Sequence, residues 1–279
     1  MQLIKRTLFS LFALLALGVT PAAAQFGACL PGFCSQQGYN PCDSRVKLLM
    51  PMEGTNGSTG SPGLDDFSSQ HRGTATSGAS STIDTSQFKF GSSSYRMHSV
   101  VGNSLNYPPS ADWVLSSANS DEFTVEAWVR WNTLATGQAV LSNSGFGASV
   151  GWLLWTDPVT STELNFTFSP DGTVGAEVVT ATSGAGLTTG TWIAVAADKD
   201  ATGKIRVYVN GVMKGSSTPG ASAFFNTVPS LTGLGILSVY PFGSRLDGWI
   251  DEVRITKGKA WYASDAGYTL ASVAFATCP

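Results

Sequence analysis

Asp251 is the residue whose position in the sequence points most directly to chemistry. It lies in residues 248–258, which alternate in polarity with a period of two, as expected of a β-strand. The alternation places Asp251 on the same face as the apolar residues Trp249 and Val253. A carboxylate on such a face needs a bound cation or several hydrogen-bond donors, because burying an unpartnered charge is costly. The sequence therefore predicts a cation or a cluster of donors at Asp251.

The other acidic residues do not form the pattern of a glycoside hydrolase. A retaining enzyme needs two carboxylates about 5 Å apart. Glu126 has no acidic residue two positions away, and Asp251 and Glu252 are adjacent, so a regular strand would point them to opposite faces. The only histidines, His71 and His98, are not accompanied by a nucleophile-elbow motif. No catalytic residue is assigned, and the chain is predicted not to be an enzyme.

Four aromatic residues are the candidate ligand platforms, because the core periodicity explains them least. They are Trp152, Trp155, Trp261 and Tyr262. Exposed aromatic rings contact the apolar faces of sugars and also occur at protein interfaces. The alternative for each ring is packing in the core or at its rim.

The N-terminus has the organisation of a secretory signal peptide. Lys5 and Arg6 precede an apolar run, and residues 22–24 are three alanines that suit cleavage. The run is too short for a permanent membrane span. We therefore predict a signal peptide over residues 1–24, and a secreted, periplasmic or cell-surface protein.

The mature chain is acidic. Removing residues 1–24 leaves 14 basic and 19 acidic side chains, a net charge of −5. This balance argues against nucleic acid or an anionic membrane as a partner.

Four cysteines in an exported chain predict two disulfides. Three of them lie near the mature N-terminus, at Cys29, Cys34 and Cys42, and Cys278 is the penultimate residue. If the terminal strands are neighbours, one bridge joins the two ends. The preferred pairing is Cys29–Cys34 with Cys42–Cys278. Cys34–Cys42 with Cys29–Cys278 stays open, because spacing alone does not choose a connectivity.

The rest of the chain reads as many short strands separated by turns. Residues 25–44 form a cysteine-containing lead-in, and residues 45–279 form one all-β domain, a sandwich or a barrel. Residues 121–132 are the clearest strand. Asn210-Gly211 and Asp171-Gly172 are the strongest hairpin signals.

Four segments resemble motifs of the laminin-G-like jelly rolls, in matching order. They are FTVEAWV at residues 123–129, GTWIAVA at 190–196, RVYVNGV at 206–212 and GWIDEVRITKG at 248–258. The resemblance covers residues 45–268 and is closest to modules of bacterial surface proteins and phage host-recognition proteins. It implies a concanavalin A-like jelly-roll sandwich of two antiparallel sheets, with the first and last strands as neighbours.

The resemblance also implies a structural calcium ion. Related jelly rolls hold calcium where the aspartate of the last strand meets the loop after the first strand. The matching positions here are Asp251, Glu53 and a carbonyl near Gly91, and hard oxygen ligands of this kind suit calcium. The alternative is that backbone N–H groups satisfy Asp251.

The function expected from these features is an exported, non-enzymatic binding module for a glycan or a cell-surface partner. One alternative is a structural or adhesive component of a cell surface or phage particle that binds protein. The second alternative is a divergent glycoside hydrolase or polysaccharide lyase.

Overall fold

The chain folds almost entirely into β-strands. The computed structural model describes residues 40–78, 80–100, 104–135, 137–144, 150–173, 175–220, 235–236 and 245–279. The strands are β1 Val46–Met50, β2 Thr76–Ser77, β3 Thr82–Asp84, β4 Ser94–Met97, β5 Leu105–Asn106, β6 Phe123–Trp131, β7 Ala139–Ser144, β8 Val150–Thr156, β9 Leu164–Phe168, β10 Val178–Ala181, β11 Trp192–Lys199, β12 Ile205–Val209, β13 Val212–Ser217, β14 Gly235–Ile236 and β15 Gly248–Lys257. A single 3₁₀ turn, Ala111–Trp113, is the one helical element in this part of the chain.

The strands form two antiparallel sheets that pack face to face. The larger sheet has the order β13-β12-β11-β6-β15-β4-β3, and β1 pairs with β15 beside this path. The second sheet has the order β10-β9-β8-β7-β14-β5-β2. The predicted two-sheet sandwich and the predicted pairing of the first and last strands are both confirmed.

Strand β6 shows how the alternating sequence builds the core. Phe123, Val125 and Trp131 are fully buried in the core between the sheets. Their neighbours on the strand face the other way, and Trp128 is covered there by the ring of Phe90 at a centroid distance of 5.9 Å. The outer side of the larger sheet is therefore partly covered.

Strand β15 departs from strict alternation at Asp251. Asp251 pairs with Trp128 but Arg254 pairs with Glu126, so one extra residue is inserted between the two pairs. Glu252 has a left-handed φ of 52° at this β-bulge. Beyond the bulge, the side chains of β15 point to the opposite faces from those that strict alternation would give. Ile250 and Val253, three residues apart, therefore both reach the core.

The prediction that Asp251 shares a face with Val253 was therefore wrong. Asp251 lies on the outer side of the sheet with Trp249, and it is buried there by the segment that includes Lys89 and Phe90.

Both predicted hairpins join antiparallel neighbours, but only one of them has a two-residue turn. Val209 pairs with Val212 across Asn210-Gly211, and both turn residues have positive φ, as a type I′ turn requires. In contrast, Val178 pairs with Phe168, so a connection of several residues surrounds Asp171-Gly172. Asp171 uses its carboxylate to accept the N–H of Thr173, which closes a local turn but not a tight hairpin.

A disulfide joins the two ends of the described chain. Cys42 is bonded to Cys278, with a Cα–Cα distance of 4.8 Å, and the N–H of Cys278 donates to the carbonyl of Phe67. The preferred partner for Cys42 is thus confirmed. The signal peptide, Cys29 and Cys34 lie outside the described residues. No helix among the described residues is long and apolar enough to cross a membrane.

Candidate functional site

The three residues of the expected metal site come together beside β15. Both oxygens of Asp251 accept backbone N–H groups: Oδ2 from Lys89 at 2.8 Å and Phe90 at 3.2 Å, and Oδ1 from Glu252 at 2.9 Å. These three backbone N–H groups are some of the hydrogen-bond donors that the sequence predicted for Asp251. They leave Asp251 in fixed contact with the loop that precedes β4.

Glu53 reaches the same loop from the end of β1. Its two carboxylate oxygens accept the N–H of Ser92 at 3.1 and 3.0 Å, and Oε2 accepts the hydroxyl of Ser92 at 2.6 Å. Gly91 has a φ of 64°, and a Cβ atom there would overlap Oε1 of Glu53. Glycine therefore keeps this position open for a carboxylate.

Three carboxylates repel one another at this point. Burial raises the pKa of Asp251 to about 8, and the charge of Glu53 adds to the increase. Burial also raises the pKa of Glu252 well above its usual value, with the charge of Asp251 as the next cause. Oε1 of Glu252 is buried without a hydrogen-bond partner. A divalent cation would offset this repulsion, so the donor set fits a hard metal ion.

The carboxylates do not by themselves enclose such an ion. No group of three or more His, Cys, Asp or Glu side chains in the described ranges is arranged to hold a metal. A bound cation would therefore also need backbone oxygens, such as the carbonyl expected near Gly91.

Two of the predicted aromatic platforms are buried. Trp152 has no exposed surface, and its ring stacks on Phe166 in the core at 6.2 Å. Trp155 is 4% exposed and donates its indole N–H to Thr167. Neither ring is available to a ligand, because their strand lies in the second sheet with every residue buried.

The other two predicted platforms are partly exposed but already in contact with protein groups. Trp261 donates its indole N–H to Thr256 at 2.9 Å, and the guanidinium of Arg254 lies 5.4 Å from its ring. Tyr262 stacks on Tyr268 with ring centroids 3.6 Å apart. This segment packs against the outer side of the larger sheet.

Glu126 is the polar centre beneath that segment. Its Oε1 accepts from Nε of Arg254 at 2.6 Å and lies 2.5 Å from the Nη2 atom, and its Oε2 accepts the hydroxyl of Tyr262. Burial raises the pKa of Tyr262 well above its usual value, and the charge of Glu126 contributes. Glu126 therefore holds the C-terminal segment on the sheet and is not free for catalysis.

Sequence reasoning missed a row of side chains across the outer face of the larger sheet. The row runs Trp192, Arg130, Trp249 and Arg96, on the neighbouring strands β11, β6, β15 and β4. All four residues are partly exposed. The guanidinium carbons of Arg96 and Arg130 lie 4.5 and 5.1 Å from the ring centroid of Trp249. Trp249 thus makes cation–π contacts with the arginine on each side of it, and Trp192 is the cross-strand neighbour of Arg130.

An open cavity of about 420 Å³ continues this row beyond Arg96. Its lining includes Asn56, Asp84, Arg96 and His98. Asp84 accepts the indole N–H of Trp249 at 2.9 Å, so the cavity and the row share side chains. Its size falls in the range of small-ligand sites. We call the four-residue row and this cavity the outer-face site.

The sequence shows the residue types of the outer-face site but not their arrangement. Two tryptophans and two arginines on strands are visible, but their alignment depends on which strands pair and in what register. The strict alternation also grouped Trp249 with the apolar face, which concealed its place on the outer side.

Comparison with known proteins agrees with the architecture. A family model described as the concanavalin A-like lectin/glucanases superfamily matches residues 106–260, more than half of the chain. No curated protein sequence matches the chain.

Solved structures with the same fold include binding domains of larger proteins. The botulinum neurotoxin serotype G binding domain is 16% identical with a TM-score of 0.52, covering 77% of this chain and 48% of that one. The binding domain of Paraclostridial Mosquitocidal Protein 1 is 13% identical with a TM-score of 0.52, covering 77% and 50%. Domain 4 of AbnA, an extracellular arabinanase from Geobacillus stearothermophilus, was solved with arabinotriose and is 18% identical with a TM-score of 0.49, covering 76% and 92%. The chain spans about half the length of the two binding-domain chains, and at these identities they show the fold alone.

Proposed function

The chain belongs to the concanavalin A-like lectin/glucanase superfamily, and from that premise we propose that it is an exported, non-enzymatic module that binds a glycan at the outer-face site. The observation that carries this proposal is the partly exposed row of tryptophan and arginine that leads into the polar cavity. Aromatic rings supply apolar contact to a sugar, and the polar groups fix its orientation.

Trp192 is the ring that we assign to stacking. Trp249 has a guanidinium on each neighbouring strand, so both sides of its ring are flanked. Trp192 is flanked by Arg130 on one side only, because the pairing of β11 with β12 begins at Val195. The other side of Trp192 is free of a paired strand and can receive a sugar ring.

Replacing Trp192 with alanine is expected to weaken binding to the best glycan on an array by about thirtyfold, the size of a typical aromatic hot spot. The matched control is Trp261→Ala, which removes a partly exposed tryptophan from the same side of the sheet. The measurement is a glycan array followed by titration calorimetry on both variants and the unaltered protein.

Three results would contradict the proposal. Loss of glycan binding in Trp261→Ala but not in Trp192→Ala would show that the glycan binds at the C-terminal segment that contains Trp261 and Tyr262. A blank array with capture of a purified protein partner would favour the structural or adhesive alternative. Release of new reducing ends from a bound polysaccharide would favour the hydrolase.

The proposal includes a structural calcium ion held by Glu53 and Asp251, with a carbonyl near Gly91. When bound, the ion would neutralise the repulsion among the buried carboxylates. It would also fasten the loop of Lys89 and Phe90 to the end of β1, since Asp251 and Glu53 already bind opposite ends of that loop.

The pH dependence of stability tests this ion. The folded-state pKa of Asp251, about 8, lies above the value of 3.8 for a free side chain. The folded protein therefore holds a proton that the unfolded chain releases, and stability falls as pH rises between these values. In EDTA we expect a loss of about 1.2 kcal/mol from pH 6.5 to 7.5. Calcium needs the ionised carboxylates, so it should stabilise the protein more at pH 7.5 than at 6.5.

Urea unfolding at both pH values, with calcium and with EDTA, makes this measurement. Asp251→Asn is expected to abolish the stabilisation by calcium. It should also reduce the loss of stability between pH 6.5 and 7.5 in EDTA. Superimposable curves in calcium and EDTA would overturn the calcium proposal, and equal stability at the two pH values in EDTA would contradict the raised pKa.

A further inference from the structure

We infer that the glycan recognised at the outer-face site is acidic, and that the guanidinium of Arg130 binds its carboxylate or sulfate group. The inference rests on the proposed glycan-binding function and names the class of sugar. Two observations support it: the position of Arg130 in the row, and the N–H donors of its guanidinium that bind no other residue.

The two arginines of the row differ in what they already bind. Arg96 forms a salt bridge to Asp247 at 2.7 Å and donates to the carbonyl of Gly248 at 2.9 Å. The side chain of Arg130 makes no hydrogen bond or salt bridge to another residue in the described part of the chain. Its charge and its five N–H donors remain open to a ligand, although it lies in the middle of the row.

The neighbours of Arg130 hold its guanidinium in place. It lies opposite Trp192 on β11 and opposite Trp249 on β15, with the Trp249 centroid 5.1 Å away. A planar guanidinium held against the ring of Trp249 loses little further side-chain entropy when it binds. Its exposed edge suits the two oxygens of a carboxylate or sulfate, which accept from arginine in a bidentate manner.

A second cation lies further along the same face. Nζ of Lys89 is 4.0 Å from the ring centroid of Trp128, which is two residues before Arg130 on β6. Lys89 forms no salt bridge within the described ranges. Two carboxylates lie beside the row, and both already have protein partners. Asp247 is paired with Arg96 and accepts from Asn132 and Thr133, and Asp84 accepts the indole N–H of Trp249. Neither Arg130 nor Lys89 is therefore paired with a carboxylate among the described residues, although the protein is acidic as a whole.

The test uses two pairs of polysaccharides that differ in charge. Polygalacturonate is compared with its carboxyl-reduced form, and dextran sulfate with dextran, by titration calorimetry on the full oxidised protein at low and high salt. We expect binding to at least one acidic member to be tenfold or more tighter than to its neutral counterpart. The pair that shows the difference identifies the anionic group as carboxylate or sulfate.

Substitution of Arg130 localises the effect. Arg130→Gln is expected to weaken binding of the acidic polysaccharide by about 10- to 100-fold, the range for a charge-assisted hydrogen bond. Arg130→Lys keeps the charge but not the planar pair of donors. Its affinity for the acidic polysaccharide should lie between those of the unaltered protein and Arg130→Gln. The matched control is Lys214→Gln on β13, which removes one charge at the opposite edge of the same sheet and should change affinity less than twofold.

The outcomes separate this inference from the proposed function. Equal affinity for acidic and neutral members, unchanged in Arg130→Gln, overturns the inference and leaves a neutral glycan as the ligand. An equal loss in Arg130→Gln and Lys214→Gln shows attraction by net charge and also overturns it. Absence of binding to these four polysaccharides and to a glycan array overturns both.

Discussion

Replacing both Cys42 and Cys278 with serine is expected to lower the free energy of unfolding by about 5 kcal/mol. The bridge closes a loop with a sequence separation of 236 residues, and the stabilisation grows with loop length because the unfolded chain loses more freedom. The two cysteines also join the chain ends where β1 lies beside β15. Urea unfolding of the oxidised protein and the double-serine variant measures the difference.

The control for this experiment is Cys29→Ser with Cys34→Ser. The preferred pairing closes a loop of only about five residues there, so the same reasoning gives a much smaller effect. Reduction of the unaltered protein opens both predicted bridges, so it should cause at least the loss seen in Cys42→Ser/Cys278→Ser. Equal stability of the oxidised protein and that variant would show that the end-to-end bridge does not form in solution.

Replacing Glu126 with alanine is expected to destabilise the protein by about 3–5 kcal/mol. The change leaves the guanidinium of Arg254 in a largely buried position without its carboxylate, and Tyr262 loses its hydrogen-bond acceptor. Arg254 also lies 4.2 Å from the ring of Phe275, so the C-terminal segment should loosen. Urea unfolding measures the loss, and limited proteolysis should cut the chain after residue 258.

Two further variants define the origin of that effect. Glu122→Ala removes a partly exposed carboxylate next to the same strand and should cost less than about 0.5 kcal/mol. Glu126→Leu combined with Arg254→Met removes both charges and should recover much of the stability, because the penalty comes from separating a buried charge from the carboxylate that binds it. A loss below about 1 kcal/mol in Glu126→Ala would contradict the burial of this pair.

Features that depend on neighbouring residues were readable in the sequence. The alternation in β6, the Asn210-Gly211 turn and the family motifs led to the correct sandwich. The preference for Cys42–Cys278 followed from two chain ends that belong to adjacent strands. Each of these depends on local periodicity, on turn geometry or on the order of strands in the chain, and all three can be recognised from the sequence.

The site depended on contacts between distant strands. A single inserted residue at Asp251 reversed the faces of β15, placed Trp249 on the outer side and gave the carboxylate its donors from the Lys89 segment. Burial likewise decided that Trp152 belongs to the core.

The sequence alone therefore predicted the fold class, and its resemblance to the laminin-G-like jelly rolls predicted that Glu53, Gly91 and Asp251 meet. The tertiary structure decided which aromatic and cationic side chains stand in one row, because the register of antiparallel pairs and the position of a bulge are set by packing between strands far apart in the chain.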